Sequence, residues 1–592
     1  MAIKMRTIMK TILSFIAFVM LGASAFAQVT KEITNDVTFE GNRRLYLRDA
    51  NKISVVPQTK DSIIKMTSIQ YTTIPVPKAV TIDPKLISAA KINVDEKLGY
   101  LYRGYIKAGY GTYNTLPIDF YYTDGRSKKG TFGVHYQLLR GDGVALDDKD
   151  SIPDRYSDNR AEVWGKWFLN KAQILGELNW ERNVNHWYGL DIKNNYEGPR
   201  LDSMDFKQRM NTFGGNVSYL TYQRDTGEFN LNASIGLRGS RDIFDNKENN
   251  FDLLLHGRTL KDNTLYSMDV GFNYNSFSYF GPDMLGNGRV DDPFFRNRNW
   301  DNMILKFIPT ASTTWKGLRA KVGAGIYVEG RGATPGHFYP LAEASYNLFD
   351  GVVVPYIGVR GSTEPTTYLS LYRENPFIQT FPDLKNKNNK LDVYGGIGGS
   401  ISHAVSYSVG VNYYEWGNFH YFINDSITSP ADNYYTYGNV FTVLYDDLTA
   451  MNFHGELAIF SGEKWKANIR GDYYKYTTGV QEHAWHQPSI KFLANGQYNL
   501  RKKFIIGADI FYIGERWAKS TVPVHGEVAL TDGSYQYKLK GFLDANFKVE
   551  YRYNKRLSAW VQFNNTLALK YQRWSAYPTQ QFLAMLGAAY SF

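Results

Sequence analysis

The final eleven residues alternate. Phe582, Ala584, Leu586, Ala588, Tyr590 and Phe592 take every second position, a period that puts all six on one face of a strand. The same period returns upstream. Leu543, Ala545, Phe547, Val549, Tyr551 and Tyr553 interleave with Asp544, Asn546, Lys548, Glu550 and Arg552. Trp465, Ala467, Ile469, Gly471 and Tyr473 interleave with Lys466, Asn468, Arg470 and Asp472; Ala172, Ile174, Gly176, Leu178 and Trp180 with Gln173, Glu177, Asn179 and Glu181. Ile490, Phe492, Ala494, Gly496 and Tyr498 follow the pattern with Lys491, Asn495, Gln497 and Asn499.

A two-residue period fits a soluble sandwich as well as a membrane barrel, so the strand ends decide. Transmembrane strands run about 9–11 residues and finish in aromatic rings at the two interfaces. Here the ends carry Tyr498, Tyr551, Tyr553, Tyr473, Trp465, Trp180 and Tyr590. Composition agrees: aromatic residues make up 16% of the chain while mean hydropathy is −0.39. Many large rings thus coexist with little aliphatic excess, as expected when one face of each strand meets lipid and the other meets water. No apolar run after residue 27 is long enough for a membrane helix, which needs about 20 residues.

The expected fold is therefore all-β: a transmembrane antiparallel barrel of about 22–24 strands, closed by the strand ending in Phe592. Its place would be the outer membrane of a Gram-negative bacterium, with membrane lipid and the barrel assembly machinery as partners. Phe582, Tyr590 and Phe592 would form the C-terminal assembly signal. Short turns are expected at 125–130, 170–171, 224–227, 403–404 and 554–555, with long loops near 142–158, 185–206, 280–300, 362–389 and 517–536. The divisions near Pro117 and Asn418 separate the two strand counts.

The first 27 residues read as a signal peptide. Lys4, Arg6 and Lys10 precede the apolar stretch 12–21, and Ala25-Phe26-Ala27 offers small residues at the cleavage site, so the mature chain would start at Gln28. Without those three cations the net charge falls from +10 to +7, and the remaining basic residues are scattered. Nucleic acid is therefore not an expected partner. Residues 28–98 precede the first strong strand and include Ile74-Pro75-Val76-Pro77 and Asp83-Pro84, which favour extended chain. They read as a periplasmic tether or a lumen insert, able to contact other outer-membrane or periplasmic proteins. Residues 99–592 would be the barrel.

Several segments resemble a known family. Residues 102–140, the run Glu374-Asn375-Pro376-Phe377 followed by Leu384-Lys385-Asn386, and Tyr394-Gly395-Gly396-Ile397-Gly398-Gly399 look like the barrel portion of TonB-dependent receptors. More narrowly, Val37-Thr38-Phe39-Glu40-Gly41, with Asp49-Ala50-Asn51-Lys52-Ile53 after it, is similar to the lead-in of a short, plugless branch. The resemblance implies an outer-membrane transport barrel. Full receptors carry a plug longer than residues 28–98, preceded by an energising box, and neither is found here, so the resemblance does not imply energised uptake.

With no cysteine, disulfides, thiolate-bound zinc and cysteine nucleophiles are excluded. Asp142, Asp147, Asp148, Asp150 and Asp154 crowd one loop but lack the spacing and turn glycine of an EF-hand. His483 and His486 flank Trp485 with only Glu482 as a further ligand nearby, too few for zinc. Gly395, Gly396, Gly398 and Gly399 are followed by no Lys-Ser/Thr and no helix, so they are not a phosphate loop. No nucleophile elbow or metalloprotease motif is present, so no catalytic, cofactor or metal residue is expected. Asp61-Ser62-Ile63, Asp150-Ser151-Ile152, Asp202-Ser203-Met204 and Asp425-Ser426-Ile427 resemble a bacterial O-glycosylation sequon.

The inward charges are the main functional clue. Glu177, Glu181, Lys466, Arg470, Asp472, Lys548, Glu550 and Arg552 are the lumen-facing candidates. Ionisable groups persist at membrane depth only when facing water or one another. A passive or weakly selective channel for small polar solutes is the leading expectation. A barrel subunit of a larger assembly, secretion or transport machine is the other.

Overall fold

The computed structural model describes residues 102–592, apart from 126, 144–153, 190–205, 223–227, 282–283, 286–288, 291–295, 333, 426–427, 430–433, 436–437, 463 and 522–527. The signal peptide, Ala27, Gln28, the segment 28–98, Ser62, Ser151, Ser203 and Ser426 lie outside the described residues.

Twenty-two antiparallel strands close into a barrel. The first, Gly104–Gly111, pairs with the second, Leu116–Thr123, on one side and with the last, Leu583–Ser591, on the other. Closure removes every free edge, which a sheet in lipid requires because no water is there to satisfy unpaired backbone groups. Among the described residues no helix is long and apolar enough to cross a membrane.

The strand count settles both ambiguous divisions. The chain does turn just before Pro117, between Gly111 and Leu116. At Asn418 it runs on: strand Val405–Asp425 is continuous, with a register shift between Trp416 and Phe419 and Asn418 at a positive φ of 52°. That bulge looked like a turn in sequence because the extra residue breaks the alternation.

Connections at one end are short, such as Asp262-Asn263 and Lys316-Gly317. The other end carries the loops expected near 142–158, 185–206, 280–300, 362–389 and 517–536, together with 426–439, 479–489 and 565–582. The outer face is apolar and open: Leu178, Phe213, Leu237, Phe338, Ile357 and Leu586 are all exposed. At the short-turn end aromatic rings from neighbouring strands meet, Trp465 on Tyr498 at 4.2 Å and Phe504 on Tyr551 at 5.0 Å. Such a row is the interfacial girdle of a membrane barrel.

The seam is tight. Gly109 and Gly587 face each other across it, and the ring of Trp560 lies over both. Tyr590 and Phe592 stack near the short-turn end at 6.3 Å, and Phe582 stacks on Phe563 at 5.9 Å.

Candidate functional site: a mouth closed by an inward loop

The loop 365–386 carries the single α-helix of the described residues, α1 (Tyr368–Glu374). Thr367 and Ser370 form a reciprocal capping box at its start, which satisfies two amides a short helix would otherwise leave open. A seven-residue helix is too short to hold itself in water. Tertiary contacts hold it instead.

Glu248, from strand Lys247–Lys261, receives the Tyr368 and Leu369 amides at 2.8 and 2.9 Å. The Tyr368 hydroxyl donates to Asp242 at 3.0 Å, and Asn185 donates to the Tyr372 hydroxyl at 2.8 Å. Arg373 reaches Glu181 on strand Ala172–His186 at 2.6 Å, and Glu181 also takes Arg160 at 2.9 Å. On the opposite flank Glu374 meets His420 at 2.7 Å. Further along, Ile378 bridges Phe441 in parallel, with Gln379 N–H donating to the Phe441 carbonyl at 2.8 Å and Phe441 N–H to Phe377 at 3.0 Å. Asn386 donates to Glu329 at 2.8 Å.

These anchors lie on strands far apart around the barrel, so the loop crosses the mouth. Its apolar face builds a core there. Tyr368, Leu369, Leu371, Tyr372, Ile378 and Leu384 pack with Met210 and Phe277 from one wall, Phe422, Phe441 and Val443 from another, and Tyr577 from the loop 565–582. Phe377 stacks on Tyr577 at 3.7 Å. Buried aromatics of this size exclude water across the space they fill.

Burial sets the charge state of the outer carboxylates. Asp242, 2% exposed, has its carboxyl pushed up to about 6 by burial, against the pull of hydrogen bonds from Asn246, Tyr368 and Phe244. Glu374 is held below the usual carboxylate range: burial opposes ionisation, but His420, Lys387 and Arg573 together outweigh it.

The charged residues picked from sequence fall into three groups. Glu181 joins the mouth through Arg373, while Glu177 lies four residues, two pleat repeats, below it on the same strand, opposite Trp164 and Asn216. Arg470 grips Asp472 with two hydrogen bonds of 2.9 Å and touches Glu456 at 3.4 Å. Nearer the short turns Lys466 sits against Phe460 at 5.8 Å, Arg552 pairs with Glu550 at 3.4 Å, and Lys548 lies beside Lys107, whose ammonium covers Trp560 at 4.3 Å.

His483 and His486 do not converge. His483 stacks on Trp517 at 4.4 Å, whereas His486 is buried, with Nδ1 at 2.9 Å from the Phe422 carbonyl and Nε2 accepting from Ser575 N–H at 3.4 Å. No cluster of metal-ligating side chains occurs among the described residues.

Solved structures share this architecture. The FrpB iron transporter from Neisseria meningitidis superposes with a TM-score of 0.61 at 10% identity, covering 84% of this chain and 82% of its own. A mutant of the ferric enterobactin receptor PfeA from Pseudomonas aeruginosa gives 0.58 at 12% identity, covering 83% and 81%. The chain has the barrel fold of the TonB-dependent receptors. The siderophore receptor PirA from Acinetobacter baumannii, at 0.59, 10% identity, 84% and 81% coverage, is similar too. No protein-family model matches the sequence, and no curated protein does.

With that fold and its apolar outer face, this TonB-receptor-like barrel is an outer-membrane protein. The closed mouth is not legible in the strand alternation. The signal was present in loop 365–386, which is rich in Tyr, Leu, Phe and Ile although long surface loops are usually polar.

Proposed function

We propose that the barrel is a conduit for small polar solutes whose outer mouth rests closed, so that passage requires loop 365–386 to move. The observation that carries this is the aromatic core joining that loop to both walls and to Tyr577. The fold alone is compatible with a steady open pore. The core makes a gated conduit the better reading, because an open pore has no use for a dry layer across its entrance. The similar structures named above are transporters and receptors, which fits a transport role. Residues 28–98 are proposed to be a separate segment, and the gate does not depend on them.

Conductance in a planar bilayer tests the reading. The wild-type protein should conduct weakly, and deleting residues 367–385 should raise conductance severalfold. Steady conduction by the wild type, unchanged on deletion, overturns it. So does a result in which only deletion of residues 28–73 opens the barrel.

A further inference from the structure

A cavity of about 370 Å³ lies beside the mouth core, where Gly143, Asp154 and Arg155 and the loop 565–582 meet the end of strand Phe542–Arg552. Its apolar wall is made by the rings of Tyr188, Phe377 and Tyr571. Two carboxylates, Asp154 and Asp544, lie on the lining.

Asp544 is only 5% exposed. Its Oδ2 accepts the Tyr571 hydroxyl, while Oδ1 has no hydrogen-bond partner among the described residues. A buried carboxylate oxygen left without a donor is costly, and a donor carrying positive charge relieves that cost most. Asp154 is half-buried, accepts Gly143 N–H at 3.2 Å, and has its carboxyl raised by burial and by neighbouring Asp142. Among the described residues the cation on the lining is Arg155, largely exposed and engaged with Asp142 at 3.3 Å. The lining histidine, His186, points Nδ1 at the Arg155 carbonyl at 2.6 Å. The cavity therefore offers negative charge at its base and aromatic faces on its wall.

We infer that this cavity binds a small organic cation: a primary or secondary ammonium on a short or aromatic stem, with the ammonium on Asp544 and the stem against Tyr188, Phe377 and Tyr571. Carboxylate and aromatic faces together suit an ammonium, through a charge-assisted hydrogen bond and cation–π attraction. A neutral isostere keeps the stem contacts and loses both of these. An anion is repelled. The site is defined by its walls and does not require that the barrel conduct.

Isothermal titration of the full-length protein in detergent with three probes of one shape tests this. Tyramine should bind, tyrosol should bind at least tenfold more weakly, and 4-hydroxyphenylacetate should not bind. Asp544→Asn should weaken tyramine at least tenfold and leave tyrosol unchanged, in a variant that still shows the heat-modifiable gel shift of a folded barrel. Asp154→Asn, at the cavity edge, should weaken tyramine less. Equal binding of tyramine and tyrosol, tighter binding of the anion, or no binding of any probe overturns the assignment. Full tyramine affinity in folded Asp544→Asn overturns it as well.

Discussion

Arg373 of the loop helix and Glu181 of the far wall meet at 2.6 Å, although 192 residues separate them. Glu181 is 12% exposed on its side chain and is shared with Arg160. In the proposed gate, this pair is what fastens the loop to the strand wall. Replacing Arg373 by Met should raise the open fraction about fivefold, from a coupling of about 1 kcal/mol for a partly exposed ion pair. Single-channel recording of Arg373→Met, Glu181→Gln and the double variant checks it. If the two side chains act on each other, the double variant opens no further than the worse single one.

Asp242 gives closure a pH dependence. Its carboxyl stands at about 6 in the closed mouth against an ordinary 3.8. Opening admits water and so relieves the burial that raises the group, which outweighs the loss of the Tyr368 hydroxyl that lowers it, and the carboxyl returns toward its ordinary value. The closed state thus binds the proton more tightly, so closure is strongest below about pH 4 and weakens as pH rises through about 6. The difference is on the order of 2–3 kcal/mol at one pKa unit per about 1.4 kcal/mol. Glu374 works the other way, since its depressed carboxyl is protonated only below the ordinary range. Open probability should therefore fall between pH 7 and pH 5, and Asp242→Asn should flatten that slope. A wild-type slope of opposite sign contradicts the assignment.

Much of this architecture could be read from the chain, and the reason is local. Alternation, aromatic strand ends and short turns are properties of neighbouring residues. Arg470 and Asp472, two apart on one strand face, could be paired from sequence for the same reason. The mouth is different. Glu248 reaches the amides of Tyr368 and Leu369 across 120 and 121 residues, and Phe377 finds Tyr577 on another loop. Such contacts arise only once the barrel has closed and brought its loops into one space. Their trace in sequence is indirect: a long loop with more large apolar residues than solvent would tolerate.

Two neighbouring positions test which face meets lipid. Leu178, 67% exposed at the middle of strand Ala172–His186, lies on the apolar face, and Glu177 on the other. Leu178→Arg should lower stability by about 2–4 kcal/mol, the cost of a cation near the bilayer midplane. Glu177→Arg should cost less than about 1 kcal/mol if it faces the lumen. Urea titration of the protein refolded into lipid vesicles measures both, and equal costs would contradict the facing.

The seam between first and last strands should be the least tolerant place in the barrel. Gly587 sits opposite Gly109, and a Cβ there would collide with the Ala108 carbonyl and come within 2.6 Å of the Trp560 ring. Backbone cannot retreat from that clash without breaking the pairing of Ala108 with Ala588. Trp560 could only move by leaving its buried place, uncovering Lys107 above it. Gly587→Val is therefore expected to prevent closure, and an unclosed barrel exposes two strand edges to lipid. The variant should lack the heat-modifiable gel shift and be degraded before it reaches the outer membrane. Leu586→Val, one residue away on the lipid face, should fold normally and serves as the control for placing a β-branched side chain on this strand.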